Sequence, residues 1–146
     1  LERIIDEEMV AALSISKRYI EGEIARQAKE IERRRHIYLR NQTPIGIEGC
    51  TAIVVDDGIA TGASMLAALR AVRRRRPKRL VLAIPVAPAD SVEMLRPEVD
   101  EVVCLAMPEL FGAISVFYDD FHQVDDDEVV SLLESARRIV DPRGNQ

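Results

Sequence analysis

The sequence predicts an α/β protein in which a parallel sheet is flanked by helices. Two observations point to this class. Short apolar runs of strand length alternate with segments of helical periodicity, and the order strand, helix, strand favours parallel pairing with helices on the sheet faces. The chain has 146 residues, of which 47% are hydrophobic, and this is enough apolar material for one compact domain. We therefore expect a single domain over residues 1–146.

The N-terminal part is predicted to begin with a short strand and to continue as helix. Residues 4–5 are expected to end the strand, and Asp6 to cap a helical turn that runs to residue 13. Ser16 is the expected N-cap of a long helix over residues 17–40, because apolar side chains recur there at helical spacing.

Three strands and two helices are predicted to alternate in the middle of the chain. The predicted strands are residues 51–55, 80–84 and 101–105, and the helices between them are residues 63–75 and 90–95. The first of these strands is apolar without alternation, so we expect it to be central in the sheet, with both faces covered.

The last predicted helix has the clearest pattern. Asp125 and Glu128 match a capping box. The residues that follow form one apolar face at helical spacing, namely Val129, Leu132, Leu133, Ala136, Ile139 and Val140. This pattern predicts an amphipathic helix near the end of the sequence.

Composition and charge exclude several classes of protein. The net charge is −5, which gives no general attraction to nucleic acid or to an anionic membrane. No apolar run reaches the length of a membrane span. Cys50 and Cys104 are isolated in apolar segments, so we expect two reduced core thiols and neither a disulfide nor a metal pair. A cytoplasmic protein without membrane or nucleic-acid partners is the expected class.

The stretch AIVVDDGIATGAS, residues 52–64, carries the candidate chemistry. Asp56 and Asp57 emerge where a strand ends, and parallel sheets bind ligands at the carboxyl ends of their strands. The loop over residues 60–64 then enters a helix, so backbone N–H groups and the helix dipole converge on one anion-sized spot. Carboxylates accept hydrogen bonds from a pair of neighbouring hydroxyls, and a vicinal diol near a phosphate is a ribose 5-phosphate. The spacing fits neither a GxGxxG motif nor a P-loop.

This stretch resembles, nearly residue for residue, the motif with which type I phosphoribosyltransferases bind 5-phosphoribosyl 1-pyrophosphate (PRPP). Two flanking segments look like those of a group of uncharacterised bacterial phosphoribosyltransferases, namely ISKRYIEGEIARQAKEIERRRHIYLR and LVLAIPVAPADSVEMLRPEVDEVVCLAMPELFGAISVFYDDFHQVDDDEV. The resemblance therefore covers nearly the whole chain. It implies a Rossmann-like fold in which Asp56 and Asp57 are catalytic and hold the ribose hydroxyls. The implied PRPP-binding residues are Asp56, Asp57, Gly58, Ala60, Thr61, Gly62, Ala63 and Ser64.

The resemblance also implies an activity and its cofactor. The enzyme would be a glycosyltransferase of the pentosyl-transfer class, active in nucleotide metabolism. It would pass ribose 5-phosphate from PRPP to a nucleobase-like acceptor and release pyrophosphate, with Mg²⁺ bound mainly through PRPP and no metal site of the protein's own. Purine chemistry of the hypoxanthine or guanine type is disfavoured, because Ala60 stands where those enzymes have an acidic residue.

One family feature is not found in these residues. No segment resembles the PRGG-like loop that binds pyrophosphate in the family. We therefore expect a partial domain without the family's N-terminal strands, which binds PRPP but by itself is inactive as a transferase. The alternative is a non-catalytic module of the same fold that senses PRPP or a nucleotide and regulates a partner.

Aromatic residues after the third strand are candidates for the acceptor site. Family members often place an aromatic side chain against the base there, and Phe111 and Tyr118 are the expected contacts. Core packing under the last helix is the alternative interpretation. The resemblance further implies a chain that is fused to or paired with another domain. A homo-oligomer is the other expectation, because an apolar strand edge would be exposed where the family's first strands are expected.

Overall fold

The computed structural model describes residue 5, residues 7–39 and residues 45–140. The helices are α1 (Glu7–Ala12), α2 (Lys17–Leu39), α3 (Ala63–Arg73), α4 (Ala89–Leu95) and α5 (Asp126–Val140), and the strands are β1 (Thr51–Val55), β2 (Arg79–Val86) and β3 (Glu101–Ala106). Short 3-10 helices cover Arg96–Glu98 and Ile114–Phe117. The predicted alternation of strands and helices is thereby confirmed. Ile5 belongs to no strand, whereas Ile4 and Asp6 lie outside the described residues.

The chain divides into two compact units. The first, which contains Gly46–Phe121, holds the three strands, α3 and α4, and we call it the α/β unit. The second contains Glu7–Ile45 and His122–Gln146, and its described part holds α1, α2 and α5. The expectation that one domain covers the chain stays a prediction.

The sheet of the α/β unit is parallel throughout, in the order β1-β2-β3. Its middle strand supplies the centre of a hydrophobic core. Leu80 and Leu82 are fully buried, and they cluster with Leu69 of α3 and with Val92 and Leu95 of α4. This packing holds the first turn of α3 beside the carboxyl end of β1, where the candidate site lies.

The position of β1 differs from the sequence prediction. β1 was expected to be central, but among the described strands it lies at an edge of the sheet, and β2 is in the middle. Ala52 and Val54 pack against the core, whereas Ile53 and Val55 are 61% and 71% exposed. Apolar residues on successive positions of a strand point to opposite faces, so the run alone does not show that both faces are covered.

The structure of the second unit confirms two predicted helix caps. The Ser16 Oγ accepts a hydrogen bond of 3.2 Å from the backbone N–H of Tyr19 at the start of α2. The Asp125 carboxylate accepts one of 2.9 Å from the backbone N–H of Glu128 at the start of α5. Each cap satisfies an N–H that the first helical turn leaves open.

The apolar face predicted for α5 is only partly correct. Among the α5 side chains that the structure describes, Val130, which the prediction omitted, is the buried one, while Leu132 and Leu133 are exposed. The side chains of Ile139 and Val140 lie outside the described residues. Asp126, one turn before Val130, is bonded to α2. Its carboxylate accepts hydrogen bonds of 2.6 Å from Arg33 and from Tyr38 of α2, and these two donors, Arg33 first, lower the pKa of Asp126.

The two cysteines are free thiols, as expected. The expectation that both are core residues is wrong for Cys50, which is exposed, and Cys104 is half-buried. Cys50 precedes β1 in a turn and not within the strand, which explains its contact with solvent. Within the described ranges, no helix combines the length and the apolar character that crossing a membrane requires.

Candidate functional site

The candidate site is a cleft at the carboxyl end of β1. Asp56 and Asp57 follow this strand directly, and a loop then leads to α3, which begins at Ala63. The cleft has a volume of about 290 Å³ and is lined by Asp56, Asp57, Gly58, Ile59, Ala60, Thr61, Gly62, Ser64, Met65 and Ile114. Seven of the eight predicted PRPP-binding residues are therefore brought together, and Ala63 is the exception. Whether they bind PRPP stays a prediction.

The backbone of Asp57 contacts the carboxylate of Asp56. The N–H of Asp57 donates a hydrogen bond of 3.0 Å to the Asp56 carboxylate. Partial removal from water raises the pKa of Asp56, and the charge of Asp57 acts in the same direction, while the bond from the Asp57 N–H opposes them. Asp56 is thus a carboxylate whose charge the unliganded protein stabilises poorly.

The raised pKa of Asp56 predicts a stability effect. Between the ordinary aspartate pKa and the raised pKa, the native state keeps the proton that the unfolded chain has lost, so the free energy of unfolding falls as pH rises through this window. At neutral pH, Asp56→Asn should therefore raise the melting temperature of the unliganded protein, and the difference should vanish in acid. Thermal unfolding from about pH 3 to about pH 7 measures this, with Glu109→Gln, at an exposed position outside the helices, as control. If the Asp56→Asn protein melted at the same temperature as the wild type at neutral pH, or at a lower one, the raised pKa of Asp56 would be contradicted.

Two glycines let the loop run close to its neighbours. Gly62 has a φ of +78°, in the left-handed region, and a Cβ there would lie 2.6 Å from the terminal methyl of Met94. A Cβ at Gly58 would lie 2.8 Å from a methyl of Ile114. A side chain at Gly58 would therefore require Ile114 or the loop to shift.

The first turn of α3 is open toward the cleft. Its N-cap residue, Gly62, provides no side-chain acceptor, in contrast to Ser16 at α2 and Asp125 at α5. Ser64 and Met65 of this turn line the cleft. The unbonded N–H groups of a first helical turn carry a partial positive charge, so an anion in the cleft would complete this helix end.

Three residues near the site are remote in sequence and were not identified from it in their present roles. Ile114 forms the apolar wall of the cleft. The Ser91 Oγ donates a hydrogen bond of 2.7 Å to the carbonyl oxygen of Ala60, and the Tyr118 hydroxyl donates one of 2.5 Å to the carbonyl oxygen of Asp57. No local motif signals these two bonds, because they join positions that are 31 and 61 residues apart.

The predicted acceptor residues lie outside the cleft wall. The ring of Phe111 stacks on that of Phe117 at a centroid distance of 5.5 Å, and the ring of Tyr118 lies 5.2 Å from that of Phe121. Neither Phe111 nor Tyr118 lines the cleft. A contact of either ring with a base stays a prediction.

Comparison with known proteins identifies the family. The fold is a parallel α/β domain with a cleft at the carboxyl end of β1. The family model described as "Phosphoribosyl transferase domain" matches residues 5–122. The chain belongs to this family, and its parallel sheet flanked by helices confirms the predicted fold class.

Individual relatives agree with this membership. The chain is 38% identical over 136 residues to proteins named "Putative phosphoribosyl transferase MT0597" and "Putative phosphoribosyl transferase Rv0571c", from two strains of Mycobacterium tuberculosis. The match covers 93% of this chain but 31% of those proteins, so the chain spans about a third of their length. The crystal structure of TT1426 from Thermus thermophilus is 40% identical, with a TM-score of 0.72, over 85% of this chain and 60% of that chain.

Proposed function

We propose that this chain binds PRPP in the cleft after β1 and serves a phosphoribosyltransferase that passes ribose 5-phosphate to a nucleobase-like acceptor with release of pyrophosphate. One observation carries the proposal. A carboxylate pair and the open N-terminal turn of α3 line the same cleft, and a ribose phosphate presents hydroxyl donors and an anion on one molecule.

Asp56 and Asp57 are the residues proposed to hold the ribose. An ionised carboxylate only accepts hydrogen bonds, and the 2- and 3-hydroxyls of ribose are neighbouring donors. Hydroxyls bound in the cleft would replace the water that Asp56 has partly lost. Both carboxylates would then keep the sugar at a fixed distance from the α3 end, which orients the carbon that reacts.

The loop from Ala60 to Ser64 is proposed to hold the 5-phosphate. Thr61 and Ser64 line the cleft, and their hydroxyls, with the N–H groups at the start of α3, are the proposed donors to the phosphate. The volume of about 290 Å³ is at the lower limit of the roughly 300–1,000 Å³ usual for ligand pockets. The cleft therefore suits the ribose phosphate part of PRPP, with pyrophosphate and acceptor lying beyond it.

Mg²⁺ is the proposed cofactor, and bound to pyrophosphate it would neutralise the charge of the leaving group. The described residues contain no group of three or more metal-ligating side chains. We propose an ion held mainly through PRPP, because Mg²⁺ keeps several waters and needs few protein ligands.

Binding of phosphate and PRPP tests the proposal. We expect inorganic phosphate and PRPP to compete for one site and to perturb the backbone amides of residues 61–65 in NMR titrations, because those N–H groups face the anion. Adenosine, which has the diol but no phosphate, is the matched control and should bind far more weakly. Amide perturbations confined to other parts of the chain would contradict the site.

Pyrophosphate release separates the transferase from the sensing alternative. With PRPP, Mg²⁺ and a panel of bases, a transferase releases pyrophosphate in a base-dependent manner, whereas a sensor binds PRPP without releasing it. We expect these 146 residues by themselves to bind PRPP with little turnover, because orienting the leaving group requires preorganised donors that the cleft described above does not include. Rapid turnover by this chain would contradict that expectation.

A further inference from the structure

Two carbonyl groups of the site loop are held by hydroxyls that lie outside the cleft. The carbonyl of Ala60 accepts the hydrogen bond from Ser91 of α4, and the carbonyl of Asp57 accepts the one from Tyr118. Ser91 is 8% exposed and is the buried polar residue among those the structure describes. Neither Ser91 nor Tyr118 lines the cleft, so both hydroxyls reach the loop from outside the cleft.

The geometry of the peptide bond links these carbonyls to two N–H groups of the cleft. In a trans peptide the C=O of one residue and the N–H of the next point in opposite directions, and no described peptide bond is cis. With the Ala60 carbonyl turned to Ser91, the Thr61 N–H points the opposite way. In the same way, the Asp57 carbonyl points to the Tyr118 hydroxyl, and the Gly58 N–H therefore points away from it.

These two N–H groups are available to a ligand. Gly58 and Thr61 both line the cleft, and Gly58 is buried. Among the hydrogen bonds of the described residues, none has the backbone N–H of Gly58 or Thr61 as its donor. By contrast, the N–H of the intervening Ile59 donates to the carbonyl of Val86 at 3.1 Å. A buried N–H without a protein partner is rare, and here a bound ligand would provide the acceptor.

The reverse orientation would harm the site. If either peptide plane rotated, a carbonyl oxygen would face the carboxylates or the bound anion and repel them, and an N–H donor would be lost. Donors that are aligned before the ligand arrives need no reorganisation when it binds. The two hydroxyls outside the cleft oppose this rotation and occupy no space inside it.

We propose that Ser91 and Tyr118 are positioning residues, which aim the N–H groups of Thr61 and Gly58 into the cleft by holding the preceding carbonyls. The inference rests on the proposed function and assigns different amides to the two residues. Ser91 acts on the phosphate end of the cleft through Thr61, and Tyr118 acts beside the carboxylate pair through Gly58.

Each hydroxyl can be removed with little change of shape. Ser91→Ala and Tyr118→Phe delete the donors, Ser91→Thr keeps a hydroxyl, and Ser131→Ala on α5 and Tyr19→Phe on α2 are matched controls at exposed positions. The readouts are the affinity for inorganic phosphate and for PRPP, and the amide shifts of Gly58 and Thr61 before and after phosphate is added.

We expect a crossed pattern, in which each variant disturbs one of the two amides and leaves the other unchanged. Ser91→Ala should weaken phosphate binding by roughly three- to tenfold, which is the effect of losing one hydrogen bond to the ligand. It should also abolish the response of the Thr61 amide to phosphate, while the response of the Gly58 amide persists. Tyr118→Phe should alter the Gly58 amide and weaken PRPP more than phosphate. Ser91→Thr should restore the Thr61 response, and both controls should behave like the wild type.

The outcomes distinguish this inference from the proposed function. Wild-type protein that binds neither phosphate nor PRPP would contradict the proposed function, and the two bonds would then have no site to serve. Wild-type binding with unchanged affinities and amide responses in both variants would overturn the inference alone. Equal disturbance of both amides in each variant would also overturn it, because a general loosening of the loop has no crossed pattern. If Ser91→Ala does not fold, Tyr118→Phe decides the same question for Gly58.

Discussion

Replacement of Ser64 by Asp should abolish most PRPP binding without loss of stability. Ser64 is exposed in the first turn of α3 and lines the cleft. A carboxylate there would face the 5-phosphate, and like charges brought together cost several kcal/mol, so we expect the affinity to fall by roughly a hundredfold or more. The same carboxylate lies at the positive end of the helix dipole, which favours it by about 0.3–1 kcal/mol.

This substitution is informative because its expected effects on PRPP affinity and on stability are opposite in sign. Calorimetric titration with PRPP measures the affinity, and thermal unfolding without ligand measures the stability. Ser64→Asn, which is similar in shape to the aspartate variant but uncharged, is the matched control and should keep most of the affinity. A Ser64→Asp protein that binds PRPP as tightly as the wild type would place the phosphate elsewhere, whatever its melting temperature.

Asp57→Asn is expected to have the next largest effect. The substitution keeps the shape of the side chain but removes one charged acceptor, and a hydrogen bond to a charged group contributes about 1.5–3 kcal/mol. We therefore expect PRPP affinity to fall by roughly ten- to a hundredfold, with phosphate affinity unchanged or slightly raised because one negative charge has left the cleft.

The comparison of the two ligands gives this experiment its specificity. Isothermal titration with PRPP and with inorganic phosphate should show a loss for PRPP alone. Asp90→Asn on α4, which removes the same charge away from the cleft, should change neither affinity. Equal affinity of the Asp57→Asn protein and the wild type for PRPP would exclude Asp57 as a ribose contact, and a parallel loss for both ligands would indicate a misfolded loop.

The location of the site was predictable because one continuous segment forms it. Asp56 to Ser64 runs from the end of a strand through a loop to the start of a helix, and these elements were recognised from apolar runs and helical periodicity. A segment of this kind brings its own carboxylates, glycines and helix end together, since short sequence separation leaves few alternative paths. Seven of the eight predicted residues consequently line one cleft.

Features that depend on distant residues were not predictable in the same way. The apolar run of β1 indicated a strand but not its place in the sheet, because an exposed and a covered face can carry the same valines and isoleucines. The burial of Val130 in α5 was likewise not predicted, because helical periodicity alone does not show which side of a helix meets its neighbours.

The sequence by itself determined the parallel α/β class and the segment of carboxylates, glycines and hydroxyls from Asp56 to Ser64, because periodicity and local order are properties of neighbouring residues. Only the tertiary structure decided that Ile114 walls the cleft and that Ser91 and Tyr118 hold the loop carbonyls. Those contacts join residues that are distant in sequence and are brought together by the pairing of the strands and the packing of α4. Whether a hydrogen bond forms depends on differences in distance of a few tenths of an ångström, which local sequence does not encode.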